Sequence, residues 1–226
     1  MEKLTFRPAA IIFDMDGVII DSMPYHFIAW YEALRPVGVR VSCLDVYSKE
    51  GERWEKSLKD FLTKSGIEPS LSVMKRIFSA RQKIFRKYFK PFVFYGAEEF
   101  LNCLKGKGYA LALVTGTPEN QIKEILPKRI KSLFTCIIAG DHVRHGKPHP
   151  EPYLRAAKIL GRRSSECIVV ENAPFGIQSA KRAGMFCIAL TTSLPRRYLR
   201  RADIVVGRLE EITGIIDSAC LIRQAA

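Results

Sequence analysis

Six short apolar runs, separated by segments of helical character, constrain the fold of this chain more than any other feature of its sequence. The runs are rich in isoleucine, valine, leucine and alanine, with little polar alternation inside them. This pattern is typical of strands that are buried on both faces, as in a parallel sheet. The runs are AAIIFD (9–14), YALALVTG (109–116), CIIAG (136–140), CIVVEN (167–172), FCIALTT (186–192) and DIVVG (203–207).

Helical patterns fill the space between several of these runs. Segments 96–108, 150–161 and 174–184 combine apolar residues at helical spacing with proline or glycine near their ends. Proline is common where helices begin, and glycine where they stop. The alternation of strands and helices predicts an α/β fold built on an open parallel sheet.

One long segment breaks this alternation. From Ser22 to Lys90 no buried-strand run occurs, and stretches of helical character take its place. We interpret the segment as an inserted helical subdomain that closes over a site at the edge of the sheet. The predicted division is an α/β core domain of residues 1–20 and 91–226 and a helical cap domain of residues 21–90.

Composition limits the location and the partners. Lysine and arginine number 36 against 23 aspartate and glutamate, a formal net charge of +13, which favours anionic partners. The basic residues form short clusters without a long tail, so solvated helix faces are favoured over a nucleic-acid surface. No apolar run reaches the roughly 18 residues of a membrane span, and the N-terminus does not resemble a signal peptide. Six cysteines without CxxC spacing indicate buried free thiols in a reducing, cytoplasmic compartment.

Polar residues follow four of the predicted strands. In open α/β sheets, ligands bind at the carboxyl ends of the strands, near the point where the strand order reverses. We therefore expect these residues to lie together in one site. They are Asp14-Met15-Asp16-Gly17, Thr115-Gly116-Thr117, Gly146-Lys147-Pro148 and Glu171-Asn172.

Asp14 and Asp16 are the leading candidates for chemistry. Residues two apart on an extended chain share one face, and two adjacent carboxylates repel unless a cation lies between them or one takes a proton. Mg²⁺ prefers such oxygen ligands. One aspartate can then act as a nucleophile and the other as a general acid. Taken alone, the DxDG pattern also fits calcium loops and ordinary turns.

The remaining groups each have a plainer interpretation as well. Thr117 has the position of a helix N-cap followed by Pro118, although a helix N-terminus also binds phosphate. Lys147 can neutralise phosphate as a point charge or simply be solvated. Glu171 and Asn172 end an apolar strand, where polar residues are commonly ligands, although Asn172 could instead cap the following helix.

In their order along the chain, four segments together resemble the motifs of the haloacid dehalogenase superfamily. The segments are FDMDGVIIDS, LVTGT, GKPHPEPY and VVENAPFGIQSAKRAG. The likeness spans about Ala9 to Thr191 and is greatest to the subgroup that contains β-phosphoglucomutase and small sugar-phosphate phosphatases. It implies a Rossmann-like core, with the helical insertion in the place of the four-helix (C1) cap of that subgroup.

The resemblance also implies catalytic roles. Asp14 would attack phosphorus, and Asp16 would serve as general acid and then as base. Thr115 would bind the transferring phosphoryl group, while Lys147 would steady Asp14 and the phosphate. The implied Mg²⁺ ligands are Asp14, the backbone carbonyl of Asp16, Glu171 and Asn172.

Two departures from the family concern the metal and the substrate, and further likenesses concern the substrate. Many relatives carry Glu-Asp where this chain has Glu171-Asn172, so we expect weaker metal affinity or a larger role for Glu171. Pro118 replaces a phosphate-contacting lysine of the mutase, which weakens a mutase interpretation. His26 would orient Asp16 when the cap closes. The implied substrate-binding residues are Gly116, Thr117, Ser22, His26 and Arg53.

The predicted function is a Mg²⁺-dependent phosphatase that hydrolyses a small phosphorylated metabolite through an aspartyl-phosphate, acting as a monomer or weak dimer. A hexose-phosphate mutase is the alternative of the same family. Dehalogenation fits less well, because Asp16 and Lys147 suit phosphate esters. A non-catalytic basic binding protein on the same fold is the alternative of another class, although such a protein has little need for two facing carboxylates.

Overall fold

A computed structural model describes residues 4 and 6–221 of the chain. Each of the six apolar runs forms a strand, and the strands make one parallel sheet. This confirms the predicted α/β fold. The strands are β1 (Ala10–Phe13), β2 (Ala110–Val114), β3 (Cys136–Ile138), β4 (Cys167–Glu171), β5 (Phe186–Leu190) and β6 (Ile204–Val206).

Helices flank the sheet and fill the inserted segment. The helices are α1 (Met23–Leu34), α2 (Cys43–Tyr47), α3 (Trp54–Lys64), α4 (Leu71–Tyr88), α5 (Ala97–Gly106), α6 (Glu119–Ile125), α7 (Lys128–Lys131), α8 (Glu151–Ile159), α9 (Pro174–Arg182) and α10 (Glu210–Leu221). Among the described residues, no helix is both long enough and apolar enough to cross a membrane.

The strand order places β1 at the centre of the sheet. The order is β3-β2-β1-β4-β5-β6, so the chain builds one side outward from β1 and then crosses over to build the other side from β4. Phe13 of β1 is in register with Leu113 of β2 and Val170 of β4. The carboxyl ends of β1 and β4 therefore flank the point where the order reverses, which is where open α/β sheets bind ligands.

Burial on both faces explains why the strand sequences do not alternate in polarity. Ile11 and Phe13 belong to the apolar cluster on one side of the sheet, and Ala10 and Ile12 to the cluster on the other. Because successive strand side chains point to opposite faces, every position of β1 must be apolar. The flanking helices supply the other half of each cluster.

The inserted segment has an apolar cluster of its own. Helices α1 to α4 lie between β1 and α5, and their inward side chains include Trp30, Leu34, Leu58, Leu62 and Ile77. We propose that residues 21–90 form a separate cap domain and that residues 1–20 and 91–226 form the core domain.

The predicted cap of helix α6 is wrong, and the alternative interpretation of Asn172 as a cap does not hold either. Helix α6 begins at Glu119 with Pro118 at the N-cap position. Thr117 therefore lies one residue outside the cap, and its hydroxyl donates to Asp16. Helix α9 follows Ala173 as its N-cap residue, and Asn172 turns its amide away from the helix to Ser193.

The cysteine prediction holds only in part. The five cysteines whose side chains are described are free, but only Cys167 and Cys187 are buried. Cys43 and Cys103 are exposed, because each lies on the solvent side of a helix. The side chain of Cys220 lies outside the described part.

The cap cluster predicts a contrast between two leucines of neighbouring cap helices. Leu62 is fully buried, whereas Leu71 is 63% exposed. We expect Leu62→Ala to lower the free energy of unfolding by about 2–5 kcal/mol, because it leaves a cavity. Leu71→Ala should change it by less than about 0.5 kcal/mol. Urea unfolding measures both, and equal effects would contradict a packed core in the cap.

Candidate active site

Asp14 and Asp16 emerge from the carboxyl end of β1. The Asp14 N–H still donates to the Val170 carbonyl at 2.9 Å, so this residue is held by the sheet itself. Gly17 then turns the chain with φ of 81°, a conformation that favours glycine. A Cβ at this position would also overlap the side-chain amide of Asn172. The turn leaves both carboxylates buried at the edge of the sheet.

Lys147 joins the ends of β1 and β4. Its ammonium nitrogen lies 2.5 Å from Asp14 Oδ1 and 2.7 Å from Glu171 Oε1, and all three side chains are buried. Burial alone would lower the pKa of Lys147, but the charges of Asp14 and Glu171 outweigh it and raise that pKa. The lysine therefore stays protonated and neutralises part of the negative charge here.

Glu171 is fully occupied by hydrogen bonds. Its Oε1 accepts from Lys147 and from the Tyr153 hydroxyl at 2.7 Å. Its Oε2 accepts from the backbone N–H groups of Asn172 at 2.9 Å and Ala173 at 3.2 Å. A carboxylate offers about four acceptor directions, and none is left for an ion. The prediction that Glu171 is a direct metal ligand therefore does not fit, and its role is to hold Lys147.

Two other buried oxygens do suit a metal. Asp14 Oδ2 and Asn172 Oδ1 have no hydrogen-bond partner among the described residues, which is costly for buried acceptors. The Asn172 Nδ2 donates to Ser193 Oγ at 2.8 Å, and this bond fixes the direction of the amide oxygen. Carboxylate and amide oxygens are the ligands that Mg²⁺ takes in proteins. The residues present therefore fit the ion that the sequence predicts.

The protonation of Asp14 supports the same conclusion. Burial raises the pKa of Asp14 to about 8; Glu171 and Asp16 add to the rise, while Lys147 opposes it. An added cation beside Asp14 favours the ionised form. A cation bound at Asp14 Oδ2 would therefore oppose the effect of burial on this pKa.

Asp16 is held by four donors. Its Oδ1 accepts from Ser22 Oγ at 2.6 Å and from His26 Nε2 at 3.0 Å. Its Oδ2 accepts from Thr115 Oγ1 at 3.2 Å and from Thr117 Oγ1 at 3.3 Å. Burial alone would raise the pKa of Asp16, but His26 and the hydroxyl groups outweigh it and lower that pKa. These partners come from both the inserted segment and the sheet.

The tautomer of His26 follows from Arg81. A guanidinium nitrogen of Arg81 lies 2.5 Å from His26 Nδ1, and arginine can only donate. Nδ1 must therefore accept, and the ring proton is on Nε2, which faces Asp16. Burial lowers the pKa of His26; Asp16 opposes this and Arg81 adds to it. The lowered pKa and this tautomer describe a neutral histidine that donates a hydrogen bond to Asp16.

Arg81 is a site residue that was not predicted from the sequence, where it counts among the basic residues expected on solvated helix faces. Arg81 is buried and packs over the rings of Trp30 and Phe85. One signal was available, since Arg81 is four residues from both Ile77 and Phe85 and so shares the apolar face of α4. Its basic neighbours Lys83 and Lys87 are turned away from that face.

A cavity of about 410 Å³ separates the inserted segment from the sheet edge. Of the residues predicted to bind substrate, Gly116, Thr117, His26 and Arg53 line it, whereas Ser22 does not. Ser22 is fully buried behind Asp16, so its predicted contact with substrate is corrected to a contact with that aspartate. The rest of the lining includes Trp30, Trp54, Phe61, Phe78, Lys49, Glu50, Arg81, Pro118 and Asp141.

Glu50 is a second residue that the sequence analysis missed. It lines the cavity, and burial, with Asp16 and Asp14 nearby, raises its pKa well above the usual range. The adjoining chain touches the core. The backbone of Glu52 forms an isolated parallel β-bridge with that of Lys147, and Gly51 packs on Gly116. The inserted segment thus lies closed over the site.

Comparison with known proteins identifies the family. The sequence model of the family of haloacid dehalogenase-like hydrolases matches residues 11–190 of this chain. The chain belongs to this family.

Three relatives illustrate the range of proteins to which this chain is similar. A phosphorylated carbohydrates phosphatase of Thermotoga maritima is 31% identical, over 92% of this chain and 97% of that protein. A solved structure from Bacteroides vulgatus, provisionally described as a β-phosphoglucomutase, has a TM-score of 0.84 and 30% identity, over 95% of this chain and 91% of that one. The chloroplastic protein SUPPRESSOR OF QUENCHING 1 of Arabidopsis thaliana is 32% identical over 87% of this chain, which spans only 19% of that protein.

The close approach of α9 to Glu171 predicts the effect of one methyl group. A Cβ at position 176 would overlap the Glu171 carboxylate, whereas a Cβ at position 214 would meet nothing within 4 Å. We expect Gly176→Ala to lower the free energy of unfolding by about 1–3 kcal/mol through overpacking. Gly214→Ala, inside α10, should be neutral or stabilising by up to about 1 kcal/mol. Thermal unfolding measures both, and a silent Gly176→Ala would contradict the described position of Glu171.

Proposed function

We propose that this chain is a Mg²⁺-dependent phosphatase that hydrolyses a small phosphorylated metabolite, such as a sugar phosphate, through an aspartyl-phosphate on Asp14. One observation carries the proposal. Asp14 has one oxygen held by Lys147, and its second oxygen is buried and, like Asn172 Oδ1, has no hydrogen-bond partner among the described residues. A carboxylate arranged in this way can bind a metal through one oxygen and attack through the other.

The proposed mechanism assigns a task to each aspartate. Asp14 Oδ1 attacks phosphorus, the bond to the leaving oxygen breaks, and that oxygen takes a proton from Asp16, which must first take one up because its pKa is lowered in the described site. A water molecule then attacks phosphorus, Asp16 accepts its proton, and Asp14 is released. Mg²⁺, held by Asp14, Asn172 and the Asp16 backbone carbonyl, would supply charge neutralisation, which phosphoryl transfer needs more than covalent chemistry.

Other residues position and protect these groups. Thr115 and Thr117 present hydroxyl groups beside Asp16, where a transferring phosphoryl group would lie. Lys147 balances the charge that Asp14 and the phosphoryl group bring together. The cap excludes water and completes the site through His26, as closing lids commonly do.

The cavity favours hydrolysis over a mutase reaction. A mutase must hold a second phosphate, which calls for a free cation in the lining. Pro118 lines the cavity and offers no such cation. Lys49, also in the lining, is already paired with Asp60 at 2.5 Å. The phosphatase relative supports the same choice.

The proposal also covers the cellular location, the oligomeric state and the class of ligand. The free thiols among the described cysteines support a reducing compartment, and we propose the cytoplasm. We propose a monomer or weak dimer whose ligand is a small phosphorylated molecule rather than nucleic acid. A screen of sugar phosphates, nucleotides and glycolytic esters identifies the substrate by release of free phosphate.

Replacement of the nucleophile tests the function directly. We expect Asp14→Asn to abolish phosphate release, because an amide oxygen cannot form the ester. Asp16→Asn should slow release by roughly 10²–10⁴-fold through loss of acid–base catalysis. Asp217→Asn, on the solvent side of α10, where the carboxylate pairs with Lys107, is the control for the change of charge. Near-normal release by a clean preparation of Asp14→Asn would refute the assignment, and isomerised sugar phosphate from the wild type would favour the mutase.

The metal assignment predicts a gain of affinity. Asn172→Asp adds a negative charge at a ligand position, so we expect half-maximal activity at a lower Mg²⁺ concentration. Asn102→Asp adds the same charge at an exposed position of α5 and should leave the Mg²⁺ dependence unchanged. The measurement is activity against Mg²⁺ concentration for the three proteins. Equal curves would count against Asn172 as a ligand.

A further inference from the structure

Three side chains with metal-binding groups lie together outside the site described above. His145, His149 and Glu151, here called the histidine cluster, surround the loop that carries Lys147. One ligand atom from each lies within 4.8 Å of the other two. The two histidines are exposed, whereas Lys147 is buried. The cluster therefore occupies the solvent side of a loop whose inner side reaches Asp14.

The spacing of the cluster suits one ion. Bonds from Zn²⁺ to nitrogen or oxygen are about 2.0–2.2 Å long, so two ligand atoms of one tetrahedral ion lie about 3.4 Å apart. His145 Nδ1 is 3.0 Å from Glu151 Oε2, and the two imidazole centroids are 4.6 Å apart. Small rotations of exposed side chains close the remaining distance.

The backbone that carries these ligands is already fixed. Glu151 accepts hydrogen bonds from the backbone N–H groups of Arg144 at 2.7 Å and His145 at 2.9 Å. Ser179 of α9 donates to the His149 carbonyl at 2.6 Å. Because the segment is held on both sides, an ion that binds here orders side chains alone, which lowers the entropic cost.

We propose that the histidine cluster binds one transition-metal dication such as Zn²⁺, at a site separate from the Mg²⁺ site of Asp14. Imidazole nitrogen selects Zn²⁺, Cu²⁺ or Ni²⁺, whereas Mg²⁺ prefers oxygen. The ion takes the place of the proton between His145 Nδ1 and Glu151 Oε2, and that proton moves to Nε2 of the same ring. It also replaces the 3.2 Å hydrogen bond that the Glu151 N–H donates to His149 Nδ1, and water completes the coordination. Because a protonated imidazole cannot bind a metal, binding weakens as the pH falls.

Calorimetric titration of the whole protein with ZnCl₂, in excess Mg²⁺, tests the site. We expect one Zn²⁺ per chain, at least about tenfold weaker binding in His149→Gln, and no binding in His145→Gln/His149→Gln, because two of three protein ligands are then lost. His142→Gln is the matched control, since His142 lies in the same stretch but pairs with Glu119. Asp14→Asn should bind Zn²⁺ as the wild type does.

Three results would overturn the proposal. They are the absence of stoichiometric Zn²⁺ binding, wild-type affinity in the double variant, and loss of binding in Asp14→Asn, which would place the ion in the active site. The wild type gives an independent answer that needs no variant. Co²⁺ should broaden the imidazole NMR signals of His145 and His149 and spare His142, and the reverse pattern would equally refute the site.

Discussion

The structure depends on one buried cation between two buried carboxylates. Lys147 contacts Asp14 from β1 and Glu171 from β4, so it joins the two strands at which the sheet reverses its order. Removing one partner of such a pair leaves an uncompensated buried charge and costs about 3–5 kcal/mol. The Tyr153 hydroxyl and the backbone N–H of Ala173, just before α9, also donate hydrogen bonds to Glu171. Both oxygens of this carboxylate are therefore satisfied. The same interaction that closes the fold also prepares the proposed nucleophile.

The closed cap is coupled to the acid–base residue through the cap's own packing. Ser22 and His26 belong to the start of α1, and Arg81 to α4, which packs against α1. Arg81 sets the proton on His26, and His26 then donates to Asp16. Opening the cap would remove two of the four donors on Asp16 and expose its charge to water. Cap position and the proton affinity of Asp16 are therefore linked by direct hydrogen bonds.

The parts that could be predicted from sequence are those that follow from chain topology. Burial on both faces marked the strands, and parallel strands bring their carboxyl ends to one edge, which placed Asp14 near Lys147. Roles that depend on counting partners could not be predicted. Glu171 resembles a metal ligand until all of its acceptor directions are found filled, and Arg81 resembles a solvated basic residue until α4 is packed. Thr117 is not the cap of α6, because the helix begins one residue later, with Pro118 at the N-cap position.

The charge of the site is opposite to that of the whole chain. The formal net charge is +13, yet Asp14, Asp16, Glu171 and Glu50 gather around Lys147. A positive surface raises the local concentration of anionic ligands, but the groups they finally meet are carboxylates, which repel a phosphate. The proposed Mg²⁺ would resolve this conflict, since it would neutralise Asp14 and attract the phosphoryl oxygens at the same point. Asp14 Oδ2, which is buried and has no hydrogen-bond partner among the described residues, is the oxygen at which both effects would act.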